Sequence, residues 1–489
     1  MSNKTPAQYP ETKNKVEVGI ENGTLSMARP WDEEYDRQSS HEPCPLEKSQ
    51  NTAEKVDEGG RQASLGEQAS MGVAETDAAD LDGGYGWVIV GCMIAMNAGT
   101  WGVNTTYGVY SSYYLQNNYF SGGTTLGFAW VGGLSVATAL LCGPLSNYLS
   151  RIFGFRIAHN PLGTIGIVLG QCMAGICHSF ATFLVCQGIV FGFGLGMIMV
   201  PAQPLMAHWF HKRLALAQGL ATSGSGVGGL VLSNTTRILL EHLSVKWALI
   251  INGCISGVLL VPSLILLRGR HKAIGARQAP LELKWLWHKG FIWVWLWGAF
   301  CMMAYFIALY SLASFATHAL GLTQTQGAAL QSILSAGQMI GRPLWGYFLD
   351  SGGRINLTIV CYLICGISSL CIWLPAKSFG ILVFYALVQG MTGGTVWSAA
   401  APLIAKVVGV KDLASALSIF WMILVIPALV GQPIAIALLE YSTRHLNKTG
   451  PEAYFISIGL CGGMAILCAC FLYGAKVWLQ GNWQVFKKT

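Results

Sequence analysis

Arg342 is the one formal charge inside an apolar run of span length, in the stretch AGQMIGRPLWGYFLD, residues 336–350. A guanidinium is planar, permanently charged and shaped to hold the two oxygens of a carboxylate. An intramembrane charge is costly, so its default meaning is functional. Arg342 lies eight residues before Asp350, roughly 12 Å along a helix. That is deep for a side chain that merely snorkels to the surface. One turn earlier stands Gln338. Asn97, Asn104, Thr105 and Thr106 interrupt another apolar run, and Trp101, Trp130 and Trp397 are aromatics of the same kind of setting. Polar groups among aromatic walls suit an organic ligand; taken singly, each also serves helix–helix hydrogen bonding. The chemistry expected is binding. No catalytic constellation or phosphate loop stands out, so no enzyme is expected. No cysteine–histidine spacing resembles a metal site, and neither metal nor cofactor is expected. The match to G-x-G-x-x-G at Gly224–Gly229 lacks a preceding strand and reads as close helix packing.

These residues need a membrane around them. The chain has 489 residues, 53% hydrophobic and 11% charged, with a mean hydropathy of +0.48. A soluble domain carries about one-quarter charged residues. Twelve apolar segments follow residue 86: 87–111, 125–148, 160–178, 181–205, 215–234 and 247–267, then 290–314, 326–348, 356–375, 379–404, 413–439 and 453–475. The fold class expected is an all-α integral membrane protein of twelve spans in two six-helix repeats. Residues 1–83 read as a disordered acidic tail, 84–267 as the first half, 268–289 as a basic connecting loop, 290–478 as the second half and 479–489 as a short tail. The tail holds no secretory signal or lipid-anchor motif. The cysteines, all but Cys44 in apolar stretches, read as packing residues.

Charge sets a direction. Of the 22 Lys and Arg after residue 81, 16 fall on one set of connections, 5 on the other, and Arg342 inside. By the positive-inside rule both termini are cytosolic. Three local matches repeat at nearly one offset. Gly143–Gly154–Arg156 recurs as Gly341–Gly352–Arg354; Leu214-Ala215-x-Ala217 as Leu413-Ala414-x-Ala416; and Gln187-Gly188 before Pro201 as Gln389-Gly390 before Pro402. Two repeats with a site between them at mid-membrane is a transporter architecture. The expected partners are a small organic solute and the lipid bilayer, not nucleic acid; the oligomeric state stays open.

This layout resembles the major facilitator superfamily. Within it, Asp82-Gly83-Gly84-Tyr85-Gly86-Trp87 is similar to the opening signature of the monocarboxylate-porter family, and Trp209–Gly229, WFHKRLALAQGLATSGSGVGG, to its second. The resemblance covers residues 82–478, and the long acidic tail resembles the fungal members. It implies a secondary transporter of a small organic molecule, an organic anion, at the plasma membrane. It also implies that Arg342 binds the substrate carboxylate. The family's carboxylate carriers have an aspartate where this chain has Gln338 and a lysine where it has Thr105. That departure puts lactate-type proton symport in doubt and leaves export of a larger metabolite, or facilitated diffusion, as the competing reading. A transport-inactive receptor is a third. Arg151, Arg156, Asp350 and Arg354 resemble the superfamily's gate motif, a latch or a solvated cluster. Asp82 reads as a cap on the first helix, at the positive end of its dipole. The sequons at Asn234 and Asn447 are expected outside.

Overall fold

The computed structural model describes residues 82–153, 155–270 and 282–480, and the side chains of 155–160 are outside the description. Residues 1–81 of the acidic tail and half of the basic connecting loop, 271–281, also lie outside it.

Among the described residues twelve helical segments follow one another. In the first half they are α1 (Gly86–Gln116), α2 (Thr125–Leu141 and Gly143–Phe153), α3 (Phe155–Ile176), α4 (Phe180–Trp209), α5 (Leu214–His242) and α6 (Val245–Leu266). The second half holds α7 (Lys289–Ala319), α8 (Gln324–Gly352), α9 (Arg354–Trp373), α10 (Phe379–Val408), α11 (Leu413–His445) and α12 (Gly450–Gln480). Each matches one sequence segment, and most run past it, because a helix continues beyond the apolar layer while its backbone bonds are satisfied. Eight are long and apolar enough to cross a membrane on their own, nine with α2, which bends by 40° at Cys142. Of the remaining three, α3 is apolar but its described stretch, Pro161–Ile176, is short of a span, and α5 and α8 fall below the hydropathy of a lone spanning helix. In α5 and α8 the reason is visible: Gly, Ser, Thr and Gln replace large apolar residues.

Those small residues let α5 and α8 touch backbone to backbone, across the boundary of the halves. A Cβ on Gly219 would strike the Arg342 carbonyl; on Gly226 it would lie 2.6 Å from Met339 N, and on Gly346 2.5 Å from Ala215 O. Gly224 and Gly228 face α1 in the same manner, against the carbonyls of Ile94 and Ala98. The Gly-rich run is therefore a two-sided packing stripe in an unbroken helix. Large apolar side chains such as Val258, Ile426 and Phe384 point outward, 72%, 70% and 57% exposed, as lipid-facing surface does.

The Asp82 knot corrects the sequence reading. Asp82 does not cap α1; the residue before that helix is Tyr85, and no side chain caps it. Instead Asp82, in the left-handed region at φ 64°, turns its carboxylate to the entry of α5. Oδ1 accepts from the backbone N–H of His211 (3.0 Å) and Arg213 (2.9 Å), and Oδ2 from Lys212 (3.0 Å). Its own N–H donates to Trp209 O at 2.9 Å. Tyr85 packs on Trp209 with ring centres 5.7 Å apart, and Trp87 on Phe210 edge to face at 5.2 Å. The two signature stretches thus form one structural unit, tied down further by Arg268 over the Tyr85 ring and by Trp209 Nε1 donating to Arg268 O.

Candidate functional site

The α5–α8 seam carries Arg342 into the middle of the molecule. Its backbone is pressed against Gly219, and its side chain, 4% exposed, turns into the space between the halves. Nη1 donates to Thr222 O at 2.6 Å and to Ser225 Oγ, both on α5. Nη2 donates to Gln338 Oε1, one turn away on α8, at 2.7 Å. Tyr305 of α7 also donates its hydroxyl to Gln338 Oε1, at 3.4 Å. Every acceptor around the guanidinium is neutral.

Beside it is a cavity of about 20 Å³. That is room for a water or two. The first half lines it with Asn97, Trp101, Asn104 and Thr105 of α1, Met199 and Gln203 of α4, and Thr222 and Ser225 of α5. The second half supplies Tyr305, Phe306 and Leu309 of α7, Gln338 and Arg342 of α8, and Trp397 of α10. The six side chains singled out from sequence as solute contacts, on two distant stretches, therefore meet at one place. Trp101 packs on Trp397 with ring centres 4.8 Å apart, and Trp397 stacks on Trp421 at 5.1 Å and 17°. Trp421 Nε1 donates across the halves to Gln203 Oε1 at 2.8 Å.

Not all polar residues of α1 face the cavity freely. Asn97 Nδ2 donates to Met93 O at 2.8 Å and Thr105 Oγ1 to Gly102 O at 2.6 Å, both within the helix. Asn104 Oδ1 accepts from Ser135 of α2 at 3.2 Å. Thr106 is outside the lining, its hydroxyl donating to Val103 O. Trp130, 37% exposed, faces outward and does not line the cavity. Sequence reasoning missed Tyr305, Gln203, Thr222 and Ser225. Tyr305 sits in a uniformly apolar run, and Ser225 in a glycine run whose packing role masks it.

Helical ends near the basic connections form a second polar zone. Asp350 Oδ1 and Oδ2 accept from the backbone N–H of Ala215 (3.1 Å) and Leu216 (2.8 Å), the opening turn of α5. Arg354 Nη2 lies 3.3 Å from Asp350 and also donates to His211 O at 3.2 Å. Asp350 and Arg354 therefore bridge the end of α8 to the entry of α5, from one half to the other. In the first copy of the gate motif Arg151 is exposed and takes no part in such a bridge, and the side chain of Arg156 lies outside the described residues. Asn147 reaches the other half instead: its Nδ2 donates to Ala414 O (3.0 Å) and Ser418 Oγ (2.7 Å) of α11. The two acids differ electrostatically. Burial acts to raise the Asp82 carboxyl, but the N–H groups of Arg213, Lys212 and His211 outweigh it and hold it below the usual range. At Asp350 burial wins over its N–H donors and Arg354, and the carboxyl is pushed up.

A family model described as Major Facilitator Superfamily matches residues 87–378 and 307–482. The chain belongs to the major facilitator superfamily. It is 32% identical over 404 residues, 80% of this chain and 83% of the other, to "Probable transporter MCH2" of Saccharomyces cerevisiae. It is 28% identical over 444 residues, 81% and 90% of the two chains, to "Monocarboxylate transporter 12" of Xenopus laevis. These relatives place it in the monocarboxylate-porter-like branch, of fungal type. The solved structure of the superfamily's proton:xylose symporter XylE covers 80% of this chain and 95% of its own, with a TM-score of 0.64 at 14% identity, and shows the shared fold. As a superfamily member the protein is a multi-pass membrane transporter of small solutes. Its two sequons differ in setting. Asn234 lies within α5, with Thr236 of the same triplet fully buried, whereas Asn447 is exposed in the connection after α11.

Proposed function

We propose that the protein carries a small organic monoanion by rocking its two six-helix halves around the Arg342 cavity. One observation supports this above the rest: a buried cation whose acceptors, Thr222 O, Ser225 Oγ and Gln338 Oε1, are all neutral. The lining residues include no Asp, Glu, Lys or His. A buried charge without a counter-charge is expensive, and a solute carboxylate would relieve that cost. On this reading Arg342 and Gln338 hold the carboxylate, and Asn97, Trp101, Asn104 and Thr105 contact the rest of the solute from the other half. Gln338 and Thr105 stand where the family's carboxylate carriers have ionisable groups. This favours a facilitator or exporter over a proton symporter. The charge bias of the connections supports both termini being cytosolic, and the family resemblance supports the plasma membrane, Asn447 then being the accessible sequon.

The test is flux of labelled monocarboxylates in proteoliposomes, with and without an inward proton gradient. Arg342→Ala is expected to lower flux at least about tenfold, and Arg342→Lys not to restore it, because an ammonium lacks the two-pronged geometry. Flux that ignores Arg342→Ala would sink the reading; gradient-driven flux would overturn its uncoupled part.

A further inference from the structure

Three hydrogen-bond donors of the cavity lining are buried without an acceptor: Arg342 Nε, Gln338 Nε2 and Trp101 Nε1. No buried acceptor atom of the lining residues is left in that condition. Other indole N–H groups of the described residues, such as those of Trp297 and Trp373, also lack acceptors; what sets this lining apart is that its unpaired donors, one of them on a cation, surround a single cavity.

We infer that the solute is an aromatic monocarboxylate with a second hydrogen-bond acceptor, of the aryl 2-oxo or 2-hydroxy acid class. The inference rests on Arg342 being the anion site. Charge fixes the first term. The lining carries a single positive charge, so one carboxylate balances it, while a dicarboxylate would leave a buried anion uncompensated. Donor number fixes the second. A carboxylate takes up Arg342 Nε and Gln338 Nε2; the Trp101 indole N–H then needs an oxygen elsewhere on the solute. Ring surface fixes the third. Trp397 stands between Trp101 at 4.8 Å and Trp421 at 5.1 Å, with Tyr305 edge-on at 6.5 Å and 72°. Such indole faces favour a flat partner. Tyr305, Trp397 and Trp421 are on helices of the same half as Arg342, so shelf and guanidinium stay in register as the halves move. Trp101 comes from the other half. It offers both a ring face and a donor, so a solute bearing a ring and a second acceptor is gripped by both halves at once. A ring enters where Trp101 and Trp397 part, because the cavity between the halves is only about 20 Å³.

The test compares labelled phenylpyruvate, phenylacetate and pyruvate as solutes of the full chain in proteoliposomes. Phenylacetate lacks the second acceptor and pyruvate lacks the ring. Transport efficiency for phenylpyruvate is expected to exceed each of the others by about tenfold. Trp101→Phe keeps an aromatic ring and deletes the N–H; it is expected to cost phenylpyruvate about tenfold more than phenylacetate, bringing the two to one level. If pyruvate is carried as efficiently as phenylpyruvate, and Arg342→Ala abolishes both, this inference is overturned while the anion site stands. If Trp101→Phe lowers both aryl acids equally, the indole N–H is no acceptor reader and the second-acceptor term falls. If no Arg342-dependent flux of any of the three is found, the anion site and the inference fall together.

Discussion

The two seams between the halves are related by the internal repeat and are built differently. At α5–α8, three glycines bring backbones together and the seam ends in a carboxylate, Asp350, on the N–H groups of Ala215 and Leu216. At α2–α11, Gly133 makes one such contact, 2.8 Å from Leu429 O, whereas Gly143 is no tighter than 3.5 Å to Ser418. That seam ends in a neutral amide, Asn147, on Ala414 O and Ser418 Oγ. Arg342 lies on the tight, charged seam; the other contains the bend at Cys142. A duplicated fold supplies two equivalent places for inter-half contact. Among the described residues only the α5–α8 seam is closed by a charged group, and it also holds the candidate site.

Breaking this comparison starts with the glycines. Gly219→Ala drives a Cβ into a backbone carbonyl that cannot move aside, and is expected to cost about 1–3 kcal/mol. Gly143→Ala meets only ordinary contact and is expected to stay within about 0.5 kcal/mol. Thermal midpoints in detergent check both; equal losses would erase the distinction between the seams.

The polar ends sharpen it. Asp350→Ala leaves two N–H groups at the start of α5 without acceptors and is expected to cost about 2 kcal/mol. Asn147→Ala removes two neutral bonds and is expected to cost about 1 kcal/mol. The reverse order would mean that charge adds nothing to the latch.

The smallest effect is in pH. The Asp82 carboxyl is lowered, so its contribution is present above the ordinary aspartate range and is lost as pH falls through its depressed value. The raised Asp350 carboxyl works oppositely: the native state holds the proton more tightly, so stability falls as pH rises from the ordinary to the raised value. Asp82→Asn should flatten the acid limb of a stability–pH curve, and Asp350→Asn should remove the loss on going to neutral pH. Identical changes for the two variants would contradict the assignment.

Much of the fold is legible along the chain. Apolar segments long enough to span mark each helix, and Arg342 declares itself because a charge so deep in such a segment is costly and too far from the helix end to snorkel easily. The Asp82 stretch was legible as a motif but not as a contact. Adjacent sequence suggests a cap on α1, while the left-handed turn at Asp82 aims the carboxylate at residues 211–213, more than a hundred positions away. The gate was half legible: its glycines and arginines repeat, but whether each copy ends in a carboxylate latch or an amide contact depends on what the opposite half presents.

What the sequence by itself determined is therefore the set of local quantities: twelve apolar segments, a buried charge, a duplicated order and a bias of basic loops. Each follows from hydration energy and chain connectivity, which a residue carries with it wherever it folds. What only the tertiary structure decided is pairing between distant stretches: across the halves, Arg342 with Thr222 and Ser225, Trp421 with Gln203 and Asp350 with the start of α5, and within the first half, Asp82 with residues 211–213. Hydrogen bonds and ring contacts act over a few ångströms and require orientation, so they exist only once two distant helices are fixed against each other.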